Sequence, residues 1–191
     1  MDIAVYSGSF NPLHIGHLAI IRHLINEAGF DRVYLIVSPK NPLKTSVSSA
    51  TGKVRYESAV QAISRHFPAD SADGQKVIVD DIELTMPEPH YTIKTLDALK
   101  EREPGNTFTL TIGADNLADI RRWRDYRRIL TEYGIAVFPR RGHDLKSLQK
   151  DLADEIPGCR IQLLDAEMVD ISSTEIRNAI AEGKDISDYI I

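Results

Sequence analysis

Short β-branched, apolar runs alternate with amphipathic stretches along the whole chain. The runs Ile3–Tyr6, Val33–Val37, Lys76–Val79, Phe108–Ile112, Ile135–Phe138 and Arg160–Leu164 have the length and residue types of strands. Between and after them lie helix candidates near Ile15–Ala28, Gly52–His66, Thr92–Glu103, Ala118–Tyr133, His143–Ala153 and Ser173–Glu182. In the first, Leu18, Ile21, Ile25 and Ala28 recur on one helical face, and Gly29 supplies a C-terminal stop. The last closes on Gly183 in the same way. Strands alternating with helices predict an α/β fold: a doubly wound parallel sheet with helices on both faces, and ligands at the carboxyl ends of the strands.

A chain of 191 residues fills one substantial core, so one domain spanning the chain is expected. Its 42% hydrophobic and 27% charged residues are those of a water-soluble protein. Asp2 opens straight into a strand-like run, no apolar stretch is long enough to cross a bilayer, and a cytoplasmic location is the expectation. Cys159 is the only cysteine, which excludes an intrachain disulfide and a cysteine-based metal cluster. A net charge of −5 argues against a broad nucleic-acid surface. It leaves room for a local phosphate site, which needs only a few amides and cations.

Such a site is expected after the first strand. Ser7-Gly8-Ser9 leads through Pro12 into a helix, and small residues there let backbone N–H groups approach an anion. The positive end of the helix would face that anion. His14 and His17, three apart, lie on one side of the first helical turn, and Gly16 between them removes bulk where a nucleotide would pass. Both imidazoles can donate to phosphate oxygens. For either histidine alone, a surface or capping role is the ordinary reading. A zinc pair is a second alternative, but the glutamate companion of the metalloprotease motifs is missing. Strand, glycine turn, proline and paired histidines together favour phosphate.

The run Gly8-Ser9-Phe10-Asn11-Pro12-Leu13-His14-Ile15-Gly16-His17 resembles the signature of the HxGH nucleotidyltransferase superfamily, which transfers a nucleoside monophosphate from a nucleoside triphosphate. The resemblance implies a Rossmann-like fold, histidines that contact the triphosphate, and loop amides of Gly8, Ser9 and Phe10 near its α-phosphate. Asn11 departs from the aspartate that many members carry.

Near the other end, Ser172 or Ser173 can cap a helix whose first turn carries Glu175. An ordinary capped helix explains that much, and Arg177 fits a solvated face equally well. Yet Ile171-Ser172-Ser173-Thr174-Glu175-Ile176-Arg177 resembles the second superfamily motif, which binds the β- and γ-phosphates of ATP. Hydroxyls and an arginine suit a leaving pyrophosphate. On this resemblance the segment from about residue 171 completes the ATP site.

Three central segments resemble the bacterial nicotinate-nucleotide adenylyltransferases within that superfamily. They are Tyr91-Thr92-Ile93-Lys94-Thr95-Leu96, Gly113-Ala114-Asp115 followed eight residues later by Trp123, and Phe138-Pro139-Arg140-Arg141-Gly142. The resemblance implies that Tyr91, Thr92 and Trp123 enclose the nicotinate ring, that Gly113 and Asp115 lie near the nucleotide ribose, and that Arg140 belongs to the substrate site. Taken alone, Trp123 reads as a core anchor of an amphipathic helix and Thr92 as a cap. Family members often carry Pro-Pro-His-Lys where this chain has Asn41-Pro42-Leu43-Lys44. The phosphate-contact role of the lysine therefore carries over to Lys44, and nothing carries over to Leu43. Arg55, in the next helix, adds charge to the same pocket or is surface.

The reaction implied by this resemblance is an adenylyl transfer from ATP to nicotinate mononucleotide. Its nucleophile is a phosphate already ionised at neutral pH, so no general base is required. Magnesium is expected as a cofactor held mainly through the ATP phosphates, with no dedicated protein metal site. Alternatives are a sibling transferase using nicotinamide mononucleotide or phosphopantetheine, and a non-catalytic nucleotide sensor on the same scaffold. A synthetase fragment sharing His-Ile-Gly-His lacks the expected lysine-rich loop here. The sequence leaves a homo-oligomer open, and whether the Pro39–Thr51 loop closes over substrate.

Overall fold

The computed structural model describes residues 1–39, 51–166 and 171–191. Six strands form one parallel sheet: β1 (Asp2–Gly8), β2 (Arg32–Val37), β3 (Val77–Asp80), β4 (Thr107–Gly113), β5 (Ile135–Phe138) and β6 (Ile161–Leu163). Their order across the sheet is β3-β2-β1-β4-β5-β6, with each neighbouring pair parallel. All six correspond to runs expected from the hydrophobic pattern, with ends shifted by one or two residues.

Period-two alternation sorts the strand side chains onto two faces. Ala4 and Tyr6 of β1 with Val33, Leu35 and Val37 of β2 pack on Leu18, Ile21 and Leu24 of α1 (Ile15–Asn26) and on Ala59 and Ile63 of α2 (Gly52–His66). Ile3 and Val5 with Tyr34 and Ile36 pack on Leu96 and Leu99 of α4 (Thr92–Arg102). A parallel sheet needs cover on both sides, and these helices supply it.

Two short helices stand where no element was expected: α3 (Ile82–Thr85) and α5 (Ala114–Ala118), the latter starting directly from β4. The helix expected over Ala118–Tyr133 is broken, which corrects that reading. A 3-10 turn at Ile120–Arg122 ends at Trp123, whose backbone is extended with ψ 144°. Asp125 then adopts a left-handed conformation with φ 53°, before α6 (Tyr126–Arg128) and a π turn at Ile129–Tyr133. No glycine or proline falls within Ala118–Tyr133, so the sequence predicts one helix there, and Ile120, Ile129 and Leu130 are all fully buried. Tertiary packing instead interrupts it at Trp123, and Gly134 at φ 78° ends the π turn. The remaining helices, α7 (Leu145–Glu155) and α8 (Ser173–Ala181), lie close to expectation.

This topology fixes where a ligand can sit. β1 is hydrogen-bonded to both β2 and β4, so the connections after β1 and β4 leave on opposite sides and open a crevice between them. Both strands end there on a glycine, Gly8 and Gly113.

Because Leu35 is completely buried in the central strand pair, Leu35→Ala should cost about 2–5 kcal/mol in denaturant unfolding. Val60→Ala, at a residue 38% exposed on α2, should stay within about 0.5 kcal/mol of the parent.

Candidate active site

A cavity of about 660 Å3 opens at the carboxyl ends of β1 and β4, within the size range of small-molecule sites. It gathers the ends of the chain. Gly8, Ser9, Phe10, His14 and His17 line it from the first loop, and Ser172, Ser173, Thr174 and Arg177 from the start of α8. Gly113, Asp115 and Arg140 line it from the ends of β4 and β5, and Tyr91, Thr92 and Trp123 form another wall. Gly16 is buried in the first turn of α1. Lys44 lies outside the described residues.

In the first loop, the ring of Phe10 (4% exposed) folds back beneath Gly8. A Cβ on Gly8 would lie 3.0 Å from that ring, so any side chain there would press the buried ring out of place by a few tenths of an ångström. Phe10 holds a left-handed φ of 43°, uncommon for a bulky residue. Edge-on contacts with Tyr6 at 5.4 Å and His17 at 5.1 Å fix its ring. At the other strand end, a Cβ on Gly113 would meet Asp115 Oδ1 at 2.5 Å.

His14 is the N-cap residue of α1, and its backbone N–H donates to His17 Nδ1 at 3.2 Å. An accepting Nδ1 carries no proton, so the neutral His17 ring carries its proton on Nε2 and is a donor there. The two rings lie 3.7 Å apart. Burial, then the Arg140 guanidinium, lowers the pKa of His14 to about 4, although Glu175 opposes the shift. Burial, then His14 and Arg140, holds His17 well below its ordinary value. Both rings are therefore neutral at physiological pH. Among the described residues, none hydrogen-bonds to the buried His14 Nδ1.

The start of α8 is a reciprocal capping box: Ser172 Oγ accepts from Glu175 N at 3.2 Å, and Ser172 N donates to Glu175 Oε2 at 2.7 Å. Arg177 is exposed on the helix face, yet its guanidinium is hydrogen-bonded. Its Nη1 donates to Asn11 O at 2.8 Å and its Nη2 to Thr174 Oγ1 at 2.9 Å, while Ser173 Oγ donates to Pro12 O at 3.1 Å. The helix start and the first loop are thus stitched together, with both sets of amides at one cavity.

Thr92 does not cap α4; Tyr91 is the N-cap residue and makes no side-chain cap hydrogen bond. Trp123 is both core anchor and site residue, packing against the second core cluster while lining the cavity. Arg121 is turned away to Glu155, at 2.7 Å. Sequence reasoning missed Glu83, which is buried beside the cavity and accepts from Ser38 Oγ at 2.6 Å and Thr95 Oγ1 at 2.7 Å. It also missed His90, which lines the same wall. The acidic spacing around Glu83 looks like exposed helix, and only the fold turns it inward.

Among the described residues, five arginines (122, 124, 140, 141 and 177) line the cavity against two carboxylates, Glu83 and Asp115. On a chain of net charge −5 that concentration suits an anionic ligand.

A doubly wound sheet with paired histidines after β1 and a second amide-rich helix start beside them defines a nucleotide-binding α/β protein. The chain belongs to the cytidylyltransferase-like family, which it matches over residues 5–179. It is 37% identical over 190 residues to a Flavobacterium johnsoniae protein named probable nicotinate-nucleotide adenylyltransferase, covering 100% of this chain and 92% of that one. A Porphyromonas gingivalis protein of the same name is also 37% identical, over 100% of this chain and 89% of its own. Among solved structures, a Plasmodium falciparum nicotinic acid mononucleotide adenylyltransferase complexed with NaAD has a TM-score of 0.78 at 23% identity. That match covers 99% of this chain and 90% of the other, a likeness of fold.

The neutral histidines make stability depend on pH. Unfolded, an imidazole protonates near about 6.5, whereas folded His14 does so near about 4. Between those values the unfolded chain binds more protons, so stability should fall as pH drops from about 6.5 to about 4, then level off for this group. His17 acts in the same direction. The His14 contribution should reach about 3 kcal/mol. Unfolding free energies of His14→Asn across that range should decline less steeply than those of the parent; parallel profiles would refute the assignment.

Proposed function

We propose that this protein is a nicotinate-nucleotide adenylyltransferase, joining ATP and nicotinate mononucleotide to give deamido-NAD and pyrophosphate in NAD biosynthesis. The observation that carries the reading is one cavity shared by two phosphate-suited helix starts and the Tyr91, Thr92 and Trp123 wall. Full-length similarity to proteins named for this activity supports it.

A phosphate oxygen of the mononucleotide attacks the α-phosphorus of ATP in line, forming a P–O bond as the bond to the β-phosphate bridging oxygen breaks. The nucleophile has no proton to lose, so the work of the site is to align two anions and offset the charge that develops. His17, with its proton on Nε2, serves as a donor to the phosphates, and His14 stands beside it. Arg140 adds positive potential where the histidines stay neutral. The α8 start and Arg177 receive the pyrophosphate, Gly113 and Asp115 lie toward the ribose, and Lys44 serves the approaching phosphates.

Magnesium, carried mainly on the triphosphate, is the cofactor this reading calls for, and among the described residues lining the cavity Asp115 is a carboxylate that could meet it or its water shell. When bound, the ion would offset phosphate charge.

Pyrophosphate release from ATP and magnesium, with nicotinate mononucleotide, nicotinamide mononucleotide and phosphopantetheine supplied separately, tests the reading. The first acceptor should give the highest kcat/KM. Release with none, despite ATP binding, would point to a sensor. His17→Ala should lower kcat by about two to four orders of magnitude while the protein stays folded, on the scale of losing a transition-state donor. Trp123→Ala should raise KM for the mononucleotide and leave that for ATP nearly unchanged; an unaltered acceptor KM would return Trp123 to a purely core role.

A further inference from the structure

Arg55 is an improbable residue for its place if stability were its purpose. It sits in the first turn of α2, where the positive end of the helix dipole opposes a cation. It is also 3% exposed, and burying a charge is costly unless its donors are met. Burial lowers the pKa of its guanidinium accordingly. Arg55 stays behind the cavity wall, so the pocket role considered for it from sequence does not take the form of a lining side chain.

Its hydrogen bonds explain the placement. Nη1 donates to Ser9 O at 2.6 Å and to Ser38 O at 2.8 Å, and Nη2 donates to Pro39 O at 2.8 Å. Ser9 belongs to the loop after β1, and Ser38 and Pro39 follow β2. Backbone pairing continues the seam, because Ser38 N donates to Gly8 O at 2.9 Å. One planar fork thus spans two loops at adjacent strand ends, a geometry that a lysine ammonium cannot reproduce.

The Ser9 carbonyl is the informative contact. It belongs to the peptide that enters Phe10, the residue held at φ 43°. In a trans peptide the C=O and the following N–H point in opposite directions. Holding the Ser9 oxygen against α2 therefore turns the Phe10 N–H away from α2 and fixes the left-handed turn on which Gly8 and the ring of Phe10 meet. Ser9 and Phe10 both line the cavity.

We infer that Arg55 is a positioning residue: it clamps the loop after β1 to the loop after β2 and so sets the shape of the phosphate end of the site. Its role in turnover rests on the proposed transfer reaction; its role in holding the loop does not. The guanidinium also places a fixed positive charge behind the cavity wall that Ser9 and Phe10 line.

The test compares Arg55→Met and Arg55→Lys with the parent well below their unfolding temperatures. Hydrogen exchange should speed up locally at the amides of Gly8, Ser9, Phe10 and Ser38 in Arg55→Met, with the rest of the sheet protected as before. Its kcat at saturating substrates, per folded molecule, should fall about 10- to 100-fold, the scale of a small misplacement of reacting groups. Arg55→Lys, which keeps the charge and one donor and is the variant to rely on if Arg55→Met does not fold, should show the same changes in weaker form. Parent-like kcat and loop exchange in either folded variant, with only a lower unfolding temperature, would overturn the inference. A parent protein that releases no pyrophosphate with any acceptor would defeat the transfer reading instead, and loop exchange with ATP affinity would still decide the role of Arg55.

Discussion

Every strand of the sheet runs in one direction, and that constraint organises the rest of the molecule. Parallel strands put all their carboxyl ends on one edge, and each helix that follows begins there with its unpaired N–H groups and positive dipole end. Where β1 sends its connection to one side and β4 to the other, the edge opens into a crevice instead of closing over. Gly8 and Gly113 end the two strands that flank it, and both are positions where a Cβ would crowd a neighbouring side chain. The cavity is therefore a consequence of topology first, and of particular side chains second.

Its electrostatics follow from arginines that line it beside buried histidines. Arginines set the field, and burial removes the water that would otherwise let the histidines share it, so His14 and His17 remain neutral beside Arg140. A neutral imidazole is still a good donor, and the backbone N–H of His14 decides which nitrogen of His17 donates. A bound polyanion reverses the sign of the local field and favours the protonated rings. Charge held in reserve in this way costs less in the empty site than two buried imidazolium ions would.

Most of the fold was legible from the chain because its four central strands are largely buried apolar runs separated by helix-length amphipathic stretches, a pattern that tertiary context had no reason to override. The break at Trp123 was not legible. No glycine or proline marks it between Ala118 and Tyr133, and the interruption depends on packing between distant elements. The candidate site divides in the same way. Residues of the two terminal motifs and Tyr91, Thr92 and Trp123 were named from segments that resemble a family, and the fold brings them to one cavity. Glu83 and Arg55 look in sequence like ordinary charges on amphipathic segments. What marks them is burial, with hydrogen bonds to residues 12 and 45 positions away for Glu83, and 46 positions away at Ser9 for Arg55.

The C-terminal segment meets the loop after β1. Ser173 and Arg177 donate to the carbonyls of Pro12 and Asn11, and Tyr189 O accepts from Ile15 N at 3.0 Å. Opposite them, Arg55 holds Ser9 from behind. The carbonyls of residues 9, 11 and 12 are thus taken up by side chains from α2 and α8. Each carbonyl fixed outward constrains the next peptide plane along the loop. A loop whose oxygens are held by arginine and serine donors has already lost much of the freedom it would otherwise surrender on meeting a triphosphate, which is the physical content of preorganisation. It also explains why the C-terminal helix, remote in sequence and contributing little to the core beyond Ile176, belongs to the same functional unit as β1.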